Sequence, residues 1–224
     1  MPQKPATARR VHRHWPLVSG LGALALGIVL GVVIALRGNG ALRIDAEWME
    51  EVVEHRSPLW DLPARVMNVV GGTLVTAIAT VVIALVLLVL RRRWTAMYVA
   101  LAVITSNLLV QVLKILLSRA RPQDILISIQ SGSFPSGHVA NAATLAAVLA
   151  IVIWRWWVVV AGGVYVLLMA LSRTYLGAHW VSDTVGGLII GAAIAVIVWA
   201  PFAERVLSER VLSERRADPV ASNP

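Results

Sequence analysis

The feature that most restricts this chain is the recurrence of apolar runs near or above ~18 residues, the length at which a helix crosses a hydrocarbon core. They fall at residues 15–36, 66–90, 94–117, 137–154, 156–171 and 185–202. Only 14% of the 224 residues are charged and 58% are hydrophobic, with mean hydropathy +0.76. Ordinary soluble domains are ~25% charged, and little chain remains for a separate soluble domain. The expectation is an all-α integral membrane protein with six transmembrane helices in one domain over 15–203, between tails at 1–14 and 204–224. Basic residues precede the first run, as in a signal peptide. That run exceeds a usual signal core, and Leu36-Arg37-Gly38-Asn39 is a poor small-x-small cleavage site, so it reads as a retained helix.

The polar stretches set the topology. Residues 1–14 read as a disordered cytoplasmic tail. Residues 37–65 carry Asp45, Glu47, Glu50, Glu51, Glu54 and Asp61, with Trp48, Met49, Val52 and Val53 at helical spacing, which predicts an amphipathic interfacial helix. The C-terminal tail repeats Val-Leu-Ser-Glu-Arg at 206–210 and 211–215, too short for a solenoid, and reads as a short helical extension. Six spans place both termini on one side. That side holds twelve of the twenty Lys and Arg residues, which puts both termini in the cytoplasm and the loops after spans one, three and five outside. The net charge of +8 follows from this clustering beside apolar runs and calls for no nucleic-acid partner. The absence of cysteine excludes disulfides, thiol catalysis and Cys-ligated metal.

Helix counting then gathers the unusual polar residues at one face. Lys114 and Arg121 lie at the outer end of span three, Ser136, Gly137 and His138 open span four, Arg173 ends span five, and His179 and Asp183 open span six. Lys114, Ser118 and Arg121 would share a helix face if span three continued that far, although Pro122 disfavours helix there. His179 and Asp183, four apart, would let the carboxylate hold an imidazole N–H on a helix. A Ser-Gly-His string opening a helix offers N–H groups, a hydroxyl and an imidazole to an anion such as phosphate. Each residue also has a bland reading: Lys114 snorkelling to headgroups, Arg173 paired with lipid phosphate, Ser136 a helix cap, His179 an interfacial polar group. Ionisable groups are costly inside a membrane, so their convergence favours a polar site open to the outer face.

The strings Lys114-x6-Arg121-Pro122, Pro135-Ser136-Gly137-His138 and Ser172-Arg173-x5-His179-x3-Asp183 resemble the three-part signature of the type 2 phosphatidic-acid phosphatase superfamily. The resemblance implies a metal-independent lipid phosphatase without cofactor, and the charge count puts its site at the outer face of the cell membrane. It implies His179 as the nucleophile that forms a phosphohistidine, Asp183 as its orienting partner, and His138 as acid and then base. Lys114, Arg121 and Arg173, with Ser136 and the Gly137 N–H, would bind phosphate. The partner expected is a lipid phosphate or diphosphate in the bilayer: an undecaprenyl-type diphosphate, favoured here, phosphatidylglycerol phosphate or phosphatidic acid. A non-catalytic lipid-phosphate binding or transport protein and a membrane haloperoxidase are the competing readings. Oligomeric state stays open.

Overall fold

A computed structural model describes residues 6–129 and 131–217, and among these the chain forms eight α-helices and no strand. The helices are α1 Ala6–Leu36, α2 Arg43–Glu54, α3 Pro58–Val70, α4 Thr73–Val89, α5 Arg93–Leu117, α6 Gly137–Ile153, α7 Trp156–Tyr175 and α8 Val181–Ala217. Local chemistry marks several boundaries. Ser57 caps α3 by accepting the Leu59 N–H, with Pro58 in the first turn. Ser118 and Trp154 end α5 and α6 in left-handed conformations. Gly177, at φ +65°, turns the chain from α7 into α8, and a side chain there would strike the Asp124 carbonyl.

Three expectations need correction. Helix α1 starts at Ala6, so the described part of the N-terminal tail is helical rather than disordered. The apolar run at 66–90 is not one helix. It breaks at Gly71-Gly72, where α3 and α4 meet at 54°, and α3 begins inside the stretch expected to be an interfacial loop. Two adjacent glycines interrupt the apolar pattern where the backbone bends, a break that hydropathy alone does not register. Among the described residues, four segments are long and apolar enough to cross a membrane: His14–Leu36, Arg93–Leu117, Trp156–Tyr175 and Val181–Ser213. The α3–α4 pair makes a fifth if it counts as one span. Helix α6, apolar but 17 residues long, falls just below the ~18 residues of a usual span.

Helix α8 is central and packs against α1, α5 and α6. Small residues permit this approach: a Cβ at Gly187 would stand 2.5 Å from the Ser136 carbonyl oxygen. Away from the polar end, Leu87, Tyr98, Val99, Val148 and Ala195 form an apolar core, and the Tyr98 hydroxyl donates to the Ala195 carbonyl at 3.1 Å. Buried Val206 extends this core along α8. There Glu209 accepts from Trp94 N (2.9 Å), Thr95 N (3.0 Å) and Thr95 Oγ1 (2.9 Å), satisfying free N–H groups of the first turn of α5. At the other end, α2 lies against α7 and α8, with Asp45 and Met49 buried. The helical spacing of residues 48–53 thus forms the expected helix, though with one carboxylate drawn inside the protein.

Candidate active site

The end of the bundle formed by the C-termini of α5 and α7 and the N-termini of α6 and α8 gathers all eight sequence-predicted site residues. Each arrives by its own route. Lys114 leaves the last turn of α5, is 8% exposed, and donates to the Gly132 carbonyl at 2.6 Å. It is therefore turned inward rather than snorkelling. Helix α5 ends at Leu117, so Arg121 does not share its face with Lys114. The following loop carries Arg121 back instead. Its guanidinium donates to the Ser131 carbonyl (2.9 Å), the Gly132 carbonyl (3.1 Å) and the Ala178 carbonyl, and lies 3.4 Å from His179 Nε2.

The stretch 131–136 is fixed by its backbone: Ser133 N donates to the Arg119 carbonyl and Ser136 N to the Asp183 carbonyl, both at 2.9 Å. This sets Ser136 and Gly137 at the opening of α6, where the first N–H groups have no acceptor within the helix. Arg173 is wholly buried in the last turn of α7. Its Nη1 donates to Asn68 Oδ1 at 2.5 Å, while Nε and Nη2 have no partner. The Ser136 hydroxyl is likewise buried and unpartnered. Such groups are costly unless a ligand completes them, and a phosphate would present the matching acceptors.

His179 sits in the turn ahead of α8, not on the helix as its spacing to Asp183 suggested. The turn still brings His179 Nδ1 to 3.6 Å from Asp183 Oδ2, beyond hydrogen-bond length. Nε2 faces Arg121. Burial, and then the charges of Lys114, Arg173 and Arg121, hold the His179 imidazole well below its usual range, so it is neutral at pH 7. His138 is half-buried, and its Nε2 donates to the Asn68 carbonyl at 2.9 Å.

Sequence reasoning missed three residues. Asn68, just before the α3–α4 break, contacts both Arg173 and His138. Arg119 and Asp45 are fully buried beside Asp183. The signal that could have singled out Arg119 is its place between Lys114 and Arg121, where it entered only a charge count. Among the described residues, Glu51 and Glu54 of α2 and His55 just after it bring possible metal-ligand atoms within 4.8 Å of one another, but all three are exposed and none belongs to the cradle around His179.

The sequence profile of the PAP2 superfamily matches residues 95–206. Phosphatidylglycerophosphatase B of Bacillus subtilis is 35% identical over 118 residues, covering 48% of this chain and 58% of that protein. Lipid A 1-phosphatase of Rhizobium johnstonii is 31% identical over 122 residues, covering 49% of each. These matches span about half the length of the curated relatives. The crystal structure of the transmembrane PAP2-type phosphatidylglycerolphosphate phosphatase from Bacillus subtilis superposes with a TM-score of 0.72 at 26% identity, covering 83% of this chain and 96% of that one.

Proposed function

The chain belongs to the PAP2 superfamily, and on that premise we propose that it hydrolyses a lipid phosphate through a phosphohistidine on His179. The observation that carries the reading is the cradle itself. Lys114, Arg121 and Arg173 converge on a neutral His179, with unpartnered donors on Arg173 and Ser136. Phosphoryl transfer is mainly a matter of positioning and charge stabilisation, and this arrangement supplies both.

In the proposed reaction the phosphate oxygens take up the free N–H groups of Arg173, the Ser136 hydroxyl, the Gly137 N–H, and the Lys114 and Arg121 cations. Drawing Arg121 onto the phosphate frees the lone pair of His179 Nε2, which attacks phosphorus as the P–O bond to the lipid breaks. Asp183 stabilises the positive charge that develops on the imidazole from the Nδ1 side. With the phosphate beside it, His138 in its imidazolium form gives the Nε2 proton to the leaving oxygen, exchanging its bond to the Asn68 carbonyl for one to substrate. It then takes a proton from water, which attacks phosphorus, breaks the P–N bond and restores neutral His179.

The substrate reading is a lipid carrying a terminal phosphate, with phosphatidylglycerol phosphate placed first. That is the substrate in the names of the Bacillus subtilis relative and of the Bacillus subtilis crystal structure, whereas the Rhizobium johnstonii relative is named for lipid A. Apolar clefts of about 590 and 600 Å³ flank α7, share Trp48 and Leu171, and suit lipid tails. In the proposed topology α1, α3–α4, α5, α6, α7 and α8 are six spans. The excess of Lys and Arg at the other end supports a cradle on the extracytoplasmic face. A non-catalytic lipid-phosphate binding protein would need the three cations but not His138, His179 and Asp183 beside them.

The test is phosphate release by detergent-purified protein in EDTA, wild type beside His179→Ala, on phosphatidylglycerol phosphate, undecaprenyl diphosphate and phosphatidic acid. Release by wild type alone supports the histidine phosphatase, and the ranking of rates names the lipid. Equal release by both proteins would overturn it.

A further inference from the structure

Asp45 lies outside the three signature strings and Arg119 is one of the unspecified positions between Lys114 and Arg121, yet with Asp183 they form a wholly buried charge cluster at the site. The side chains of Asp45, Arg119 and Asp183 are all 0% exposed. Arg119 Nη1 donates to Asp183 Oδ1 at 2.6 Å and Ser182 Oγ at 2.8 Å. Its Nη2 donates to Asp45 Oδ2 at 2.7 Å and the Gly40 carbonyl at 2.9 Å. Asp45 also accepts from Ser182 N (2.9 Å), Ser182 Oγ (2.7 Å) and Leu42 N (3.0 Å). Burying ionised groups is expensive, and apolar replacements often give equal or greater stability. A trio of this kind touching a catalytic carboxylate therefore asks for a reason beyond holding the fold.

The geometry supplies one. Asp183 divides its oxygens: Oδ1 is taken by Arg119, while Oδ2 accepts from Trp180 N at 2.9 Å and stands 3.6 Å from His179 Nδ1. With Oδ1 held, the carboxylate cannot turn away from the imidazole. Two carboxylates against one guanidinium also leave one formal negative charge behind His179, on the side away from the phosphate cations. When Nε2 bonds to phosphorus the ring becomes cationic, and that charge balances it. If Asp45 were neutral, Arg119 would cancel Asp183 and the balance would be lost.

We propose that Asp45 and Arg119 are positioning residues for phosphoryl transfer, which keep Asp183 Oδ2 turned towards His179 Nδ1 and keep a net negative charge behind the attacking imidazole. Helix α2 is then part of the active site through Asp45, and the correct seating of this helix is a condition of catalysis. The inference rests on the His179 phosphatase reading.

Steady-state kinetics of wild type, His179→Ala, Asp45→Asn, Arg119→Lys and Arg119→Met test it. Asp45→Asn should lower kcat by about ten- to a hundredfold, the scale of losing an outer partner of a functional histidine. KM should hold, because Lys114, Arg121 and Arg173 are untouched. Arg119→Lys should recover part of the kcat lost in Arg119→Met. In an Asp183→Asn background the Asp45→Asn loss should largely vanish, because both act through the same carboxylate. A helix-docking role would instead raise KM or give additive losses, and either result overturns the inference. If Asp45→Asn does not fold, Arg119→Lys keeps the charge but loses the fork that holds both carboxylates, and wild-type kcat in that protein overturns the inference. An inactive wild type would overturn the phosphatase reading and this inference together. An active wild type with full kcat in Asp45→Asn overturns this inference alone.

Discussion

Replacing Gly187 with alanine tests how tightly catalysis depends on the approach of α8 to α6. The added methyl would lie 2.5 Å from the Ser136 carbonyl oxygen and 3.2 Å from Ala140 N. A carbon needs about 3.3 Å from a carbonyl oxygen, so the helices must part by about 0.8 Å. Gly187 lies four residues beyond Asp183, and the same contact carries the bond from Ser136 N to the Asp183 carbonyl. Parting the helices therefore moves His179 and Asp183 away from Ser136 and His138 at the start of α6. A misplacement near 1 Å can cost on the order of 10²-fold in rate, and overpacking costs about 1–3 kcal/mol. We expect Gly187→Ala to lower kcat/KM on the order of 10²-fold and to melt about 2–4 °C lower for each kcal/mol lost. The control is Gly163→Ala on α7, where a Cβ meets nothing within 4 Å. It should keep its rate and gain about 0.5–1 kcal/mol from helix propensity. Phosphate release and tryptophan-fluorescence melting in detergent read both quantities. A Gly187→Ala protein with the wild-type rate and melting temperature would refute the argument.

Further predictions follow from the site and from the opposite end. Because burial and neighbouring cations depress the His179 pKa, the neutral nucleophile persists below the usual ~6.5 of histidine, and the acid limb of kcat/KM should fall below that value. By the same linkage, folded His179 binds fewer protons than unfolded, so stability is lost as pH drops below ~6.5; His179→Gln should lessen that loss in melts across pH. Arg173→Lys leaves a point charge in place of the unpartnered Nε and Nη2, so inhibition by inorganic phosphate should weaken about tenfold or more. Glu209→Gln should lower stability by about 1–2 kcal/mol through the weakened cap on α5. It should leave kcat/KM unchanged, since Glu209 lies at the end away from His179.

The sequence carried the helices because lipid-length apolar runs have few alternatives, and it carried the convergence of Lys114, Ser136, Arg173 and His179 because helix parity decides which ends meet. It did not carry the Gly71-Gly72 break, since hydropathy measures composition and not direction. Nor did it distinguish Asp45 from the five other acidic residues of the same stretch, which differ only in what the fold lays against them. Arg119 was hidden in a similar way. Between Lys114 and Arg121 it entered only a count of charges, whereas the left-handed turn at Ser118 redirects it inward and loop closure brings Arg121 to His179. The i, i+4 spacing of His179 and Asp183 suggested their nearness for a helical reason, while a turn produces it.

The tandem Val-Leu-Ser-Glu-Arg at the end of α8 shows how a duplicated string differs from a duplicated contact. An α-helix advances about 100° per residue, so five residues bring the second copy about 140° beyond a full turn. The two copies therefore look in different directions. Val206 is 3% exposed in the core, whereas its counterpart Val211 is 48% exposed. Glu209 of the first copy closes the end of α5, and a shift by one repeat could not restore that closure without rotating the helix. Letters repeated at a period the helix does not share are heard by the fold as two separate words.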